Sequence, residues 1–199
     1  MYKAQMKFQK IVCYVALIAS ALVFVYSLGL MTDLYDSLYQ MMPDPADASS
    51  DYVEGARIFY DMQDFNRALT RAGIILILLA VFILIMNTHI RRRYYAGNYV
   101  AACLFTAAGI GFSIWALKNL AAYKEQFLTT IDFEMLAFWA EIWNSTYTES
   151  TFWFDIGKAV FGILLISVCL IVVNMIWKIS VTKAEKNLID QGKGARVNG

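Results

Sequence analysis

Charge is scarce in this chain, and four long stretches have none at all. Asp, Glu, Lys and Arg make up 17% of the 199 residues, and the runs 11–30, 72–90, 94–117 and 159–177 contain no member of that set. Soluble domains are more charged than this. A helix rises about 1.5 Å per residue, so about 20 residues cross a hydrocarbon core of about 30 Å. Every run is long enough. None shows the polar/apolar alternation of a barrel strand, and only a helix satisfies its own backbone in lipid. The expected fold is all-α: a polytopic membrane protein with transmembrane helices at 11–30, 72–90, 94–117 and 157–177, arranged as two hairpins. The first run follows Lys3, Lys7 and Lys10, as a signal peptide would. It is longer than a signal core and no small-residue cleavage site follows, so it reads as a retained helix.

Cysteine is nearly missing. Cys13, Cys103 and Cys169 all lie in the apolar runs, and the segments between the runs hold none. That weighs against the disulfide-stapled outer loops of animal four-helix proteins such as tetraspanins and claudins, and suits a bacterial plasma membrane. The single histidine, His89, has no metal-ligand partner in sight and reads as an interfacial residue. Gly192-Lys-Gly194 lacks phosphate-loop spacing, and no Gly-x-Ser-x-Gly elbow occurs. With no acid or base inside a run, an ion-coupling relay is not expected. Asn87 and Asn174, near the cytoplasmic ends of helices two and four, read as hydrogen-bonding residues. No catalytic, cofactor-binding or metal-binding residue is expected, nor is an enzyme, and nucleic acid is not an expected partner.

Proline is limited to Pro43 and Pro45. Before them Leu34, Leu38 and Met42 share a helical stripe, with Tyr35 and Tyr39 on the next, and Pro43-Asp-Pro45 ends it. Asp51 and Glu54 have the form of a helix cap. Ile58, Met62, Phe65 and Leu69 then mark the apolar face of a helix running into the second span. Past the third span, Leu117, Leu120, Ala121 and Leu128 continue that helix. Thr129 or Thr130 is the expected cap of the next one, with Asp132 and Glu134 in its first turn. Phe133, Leu136, Ala137 and Ala140 form its inner stripe, and Trp139 and Trp143 a neighbouring one. Ser150 or Thr151 is expected to cap helix four. Both segments return to the membrane through an aromatic-plus-Asp group, Phe59-Tyr-Asp61 and Trp153-Phe-Asp155.

What charge there is has a sidedness. Segment 1–10 is purely basic, and the 91–93 link is Arg91, Arg92 and Arg93. The tail 178–199 is also net basic, whereas 31–71 and 118–156 are acidic. Basic segments stay cytoplasmic. Both termini and the arginine link are therefore expected inside, with the two long, helix-rich loops outside. The arginines are the topology-determining residues.

Two features could serve a partner. Helix three is rich in small residues. Ala107 with Gly111, and Gly109 with Ser113, have the spacing that allows close helix approach, either within the bundle or against a partner. The stretch AFWAEIWNSTYTESTFWFD, 137–155, is dense in aromatics. Phe152, Trp153 and Phe154 fit an interfacial belt. Trp139 and Trp143, further out, could pack internally, dock a protein or stack on a small ligand.

The stretches MKFQKIVCYVALIASALVFVYSLGLMTDLYDSLYQ (6–40), YDMQDFNR (60–67), NTHIRRRYYAGNYV (87–100) and STFWFD (150–155) resemble a group of bacterial four-helix integral membrane proteins associated with carbohydrate ABC-importer gene clusters. The resemblance implies an accessory subunit, with importer permease subunits as partners. The chain departs from a permease itself: it has no EAA-type cytoplasmic loop, and four helices are few. Three functions stand open: a non-catalytic accessory protein of a transporter, a small stand-alone transporter or channel acting as a homo-oligomer, and an envelope-organising structural protein.

Overall fold

The computed structural model describes residues 2–88 and 96–197, the side chains of Tyr2, Asp190 and 192–197 excepted. Every element among them is helical: α1 (Tyr2–Gly29), α2 (Thr32–Leu38), α3 (Ile58–Thr88), α4 (Ala96–Thr130), α5 (Phe133–Ile142) and α6 (Phe152–Val197), with single 3-10 turns at Tyr39–Met41 and Ala48–Ser50. The four long helices cover the described residues of the four uncharged runs, Leu30 excepted. They form a ring in which α1 and α4 each pack on both α3 and α6. Neighbours are antiparallel. Near the C-terminal end of α1 the Thr70 hydroxyl donates to Ser27 Oγ at 3.0 Å. Near its other end the Gln9 amide donates to the Asn87 carbonyl at 2.7 Å.

The outside of the ring is as apolar as its core. Ile11, Ile18 and Val25, seven residues apart along α1, are each 60% exposed, and Leu78, Ile114 and Ile166 do the same on the other three helices. In water a surface of this kind aggregates; hydrocarbon is its natural solvent. The chain is a multi-pass membrane protein with four helices long and apolar enough to cross.

Inside, contact is set by small residues. A Cβ on Gly73 would lie 2.9 Å from the Phe24 Cα, so α3 touches the backbone of α1 there. The buried Ser20, Ser113 and Ser167 each return their hydroxyl to a carbonyl of their own helix, at 2.7, 2.6 and 2.7 Å. This leaves the middle of the core to Ala16, Leu76, Phe105, Phe161 and Leu164.

Helices α3 and α4 run on beyond their apolar runs by some 20 Å. With α2 and α5 they build a helical cap at one end of the bundle. Ile58, Met62, Phe65 and Leu69 are buried as their spacing requires, as are Leu34, Leu38 and Met42. On the extension of α4 it is Phe127 that enters the core, while Leu128 is half exposed.

Two of the three cap assignments need correction. Helix α3 starts at Ile58, not at Asp51. Asp51 instead pairs with Arg57 at 2.9 Å, and Arg57 also donates to the Pro45 and Asp44 carbonyls at 2.8 and 3.0 Å. A guanidinium that fastens the proline turn is a better use of that carboxylate than a helix N-terminus, because Gly55 turns the chain at φ +80° in between. Thr129 and Thr130 are not caps. Their hydroxyls bond back to the Glu125 and Gln126 carbonyls inside α4, a habit of threonine within a helix. Asp132 caps α5, accepting the Met135 N–H at 3.0 Å. Ser150 does accept the Phe152 N–H at the start of α6, at 3.2 Å.

The two aromatic-plus-Asp groups both lean on α4. Gln126 donates to Asp61 at 3.2 Å, and Tyr123 to the Asp61 carbonyl at 3.2 Å. Lys124 grips both carboxylate oxygens of Asp155, at 2.7 and 2.8 Å. His89, Arg91, Arg92 and Arg93 lie outside the described residues.

Candidate functional site

Two places on this frame depart from plain lipid-facing helix: the helical cap, and the opposite end of the core.

In the cap, Trp139 and Trp143 are turned inward. Their rings lie 5.2 Å apart, and Tyr52 of the first outer segment sits 4.8 Å from one and 5.0 Å from the other. Ring pairs at such distances add about 0.5–1.5 kcal/mol each beyond burial. The Trp pair thus couples the two segments that form the cap. What α5 shows to its surroundings is a different stripe. Met135, Phe138 and Ile142, at helical spacing, are 41%, 53% and 52% exposed. The helix is apolar on both sides, so burying Leu136 and Ala140 still leaves a second apolar face. That face has an acidic rim: Asp132, Glu134 and Glu141 are exposed. Residues 125–157 contain six carboxylates and no Lys or Arg.

The small residues of α4 divide between two faces. Gly109 and Ser113 are buried; a Cβ on Gly109 would stand 2.6 Å from Val168 of α6. Gly111 is exposed with nothing within 4 Å of such a Cβ, and lines a shallow apolar groove with Ala68, Ala108, Phe112 and Trp115. Two residues along a helix is about 200° of turn, so the two small-residue pairs cannot serve the same contact.

At the other end the core becomes polar. Gln5, Gln9, Asn87, Asn98, Asn174 and Lys178 are all buried, Lys178 to 3% exposure. Gln5 donates to Gln9 Oε1 at 3.1 Å and to Asn174 Oδ1 at 3.0 Å. Asn87 gives its amide to the Ile83 carbonyl at 2.9 Å and accepts from Lys178 at 3.0 Å. The Lys178 ammonium also stands 5.8 Å from the centre of the Tyr99 ring. Asn98 is 2% exposed, and neither its Oδ1 nor its Nδ2 has a hydrogen-bond partner among the described residues. Asn87, Asn98, Tyr99, Asn174, Lys178 and Cys13 line a narrow cavity of about 10 Å³.

Asn87 and Asn174, expected to hydrogen-bond at the interface or between helices, do so between helices, but the expected end of the fourth span at 177 leaves out Lys178. The core therefore looked free of charge, and the structure corrects that by burying Lys178. The signal was present in the spacing. Gln5 with Gln9, and Asn174 with Lys178, are four apart and share a helix face.

Comparison with protein-family models, with curated proteins and with solved structures finds no match. The class rests on the physics of the chain: an all-α, multi-pass membrane protein with four candidate spans and a helical cap.

Proposed function

We propose that this protein is a non-catalytic accessory subunit of a bacterial plasma-membrane transporter, and that its outer cap docks the partner. The observation that supports the reading most is the Met135, Phe138 and Ile142 stripe with its acidic rim. A bare membrane surface is a poor occupant, because anionic lipid repels such a rim. An outward-facing protein surface with an apolar seat and flanking Lys or Arg is complementary to it. The resemblance to proteins of carbohydrate importer gene clusters makes a permease subunit the partner to test. Docking moves from the Trp pair, which is occupied within the cap, to the stripe beside it.

A photo-crosslinking amino acid at Phe138 in native membranes tests this. The expected product is an adduct with a polytopic transporter subunit, identified by mass spectrometry and lost in the doubly charged variant Met135→Asp/Ile142→Asp. Adducts with lipid alone, or none, would remove the reading. Orientation is part of the proposal. A reporter inserted at Gly97 or fused after Gly199 is expected to read cytoplasmic, and one at Ala48 external. An external signal at Gly97 would invert the assignment.

The stand-alone transporter has one observation in its favour, the buried Lys178 cluster, since ionisable groups in a membrane core commonly mark a solute path. The apolar layer of Ala16, Leu76, Phe105 and Leu164 lies between that cluster and the outer side. Solute uptake by proteoliposomes holding this chain alone would favour the transporter over the accessory role.

A further inference from the structure

We infer that the lysine row at the start of α1 binds anionic phospholipid, with the headgroup phosphate on the lysines and an acyl chain along the apolar row beside them. α1 is helical from Tyr2, so Lys3, Lys7 and Lys10 are carried on a helix packed into the bundle and not on a loose tail. Their spacing puts them on one side of it, and all three are exposed. That side faces lipid. Lys7 stands one turn before Ile11 and Lys10 one turn before Tyr14, and the exposed row continues through Ile18 and Val25. The opposite side of the same segment, Gln5 and Gln9, is buried against the bundle.

A second observation sets the depth. Phe8 packs on Trp177 of α6, with ring centres 5.5 Å apart. Tryptophan concentrates at headgroup level, which puts the lysines beside it at the phosphates. Lys10, the deepest, can lay its stem along apolar surface and lift its ammonium to that level. Charge then selects the lipid. Residues 1–30 contain no carboxylate, and none of the ion pairs among the described residues uses these lysines. A zwitterionic headgroup brings its own cation to balance its phosphate; an anionic one does not. Near an anionic surface each lysine is worth about fivefold in affinity. A free anion would gain nothing from Ile11 and Ile18. The row lies at the opposite end of the bundle from the cap, and the inference stands apart from the docking role assigned there.

Thermal unfolding of the full chain in detergent tests it. Added phosphatidylglycerol is expected to raise Tm saturably by about 2–4 °C, as a ligand bound only by the folded state does. Phosphatidylcholine and inorganic phosphate should not. The triple change Lys3→Gln/Lys7→Gln/Lys10→Gln is expected to fold, because all three side chains are exposed, and to lose the response. Lys183→Gln/Lys186→Gln, on the part of α6 beyond Trp177, should keep it. Equal responses to both lipids, a response that inorganic phosphate reproduces, or one that survives the triple change would overturn the site. Should the triple variant fail to accumulate, lysine labelling of the unaltered protein decides. Acylation of Lys3, Lys7 and Lys10 by a membrane-permeant ester, read by peptide mass spectrometry, is expected to slow several-fold in phosphatidylglycerol vesicles relative to phosphatidylcholine vesicles, with Lys183 and Lys186 as the reference. Equal slowing of all five, or none, sinks it.

Discussion

Gly73→Leu is expected to abolish recovery of a folded bundle, whereas Gly111→Leu on the neighbouring helix leaves it intact. The contrast follows from what each new side chain meets. At Gly73 the first added carbon lies 2.9 Å from the Phe24 Cα and 3.0 Å from its N, so backbone must yield rather than a flexible side-chain tip. Overpacking costs about 1–3 kcal/mol where side chains can shift. Here α1 and α3 must separate along their length, and in lipid no gain of apolar burial offsets the lost contact. The loss is expected to exceed that range. Gly111 faces open space, and a leucine there meets lipid. Recovery of monodisperse protein in detergent, followed by thermal unfolding, reads both. A normal yield of Gly73→Leu would show that α1 and α3 do not touch as described. Loss of Gly111→Leu would show that its face is covered.

The double change Trp139→Ala/Trp143→Ala is expected to be the next most damaging. Full truncation of a buried Trp or Phe costs about 3–5 kcal/mol. These rings are only partly buried, so about 2 kcal/mol each is the expected scale. The effect should be local. With the Tyr52 contacts gone, the segment around Val53 loses its hold on α5, while the membrane helices keep theirs. Limited proteolysis of the outer segments is expected to accelerate several-fold with little change in helix content. Tyr52→Ala should reproduce much of it. A double variant as protease-resistant as the parent would mean that the Trp pair is ornamental to the cap and free for another task.

The membrane helices were legible because lipid imposes one rule, apolarity over about 20 residues, and four runs obey it. The stripes Ile58/Met62/Phe65/Leu69 and Leu34/Leu38/Met42 were legible for the same reason, since period alone selects the buried face. Cap chemistry was not. Asp51 and Thr130 have the right side chains for a helix start. Which carboxylate or hydroxyl does the work depends on the turn geometry at Gly55 and on Arg57, and pattern does not encode either. The Trp pair was located, but its direction was not. Two stripes of α5 are equally apolar, and only the partner across the cap, Tyr52, decides which turns inward. Lys178 was hidden by a boundary. A rule that ends a span at the first charge cannot see that the ends of α1, α3 and α4 converge on α6 there with enough amides to receive one.

The unbroken passage of α3 and α4 from the bundle into the cap makes each of them a lever. No proline or loop interrupts either helix where it leaves its apolar run, so there is no joint at which a change of inclination could be absorbed. With arms of some 20 Å beyond the run, a tilt of about 5° displaces the tip sideways by about 2 Å. The two rods are tied to each other near their tips, where Gln126 and Tyr123 of α4 bond Asp61 of α3, and α4 is tied to α6 through Lys124 and Asp155. A tilt of the rods as a pair thus displaces the cap as one piece, together with anything seated on α5.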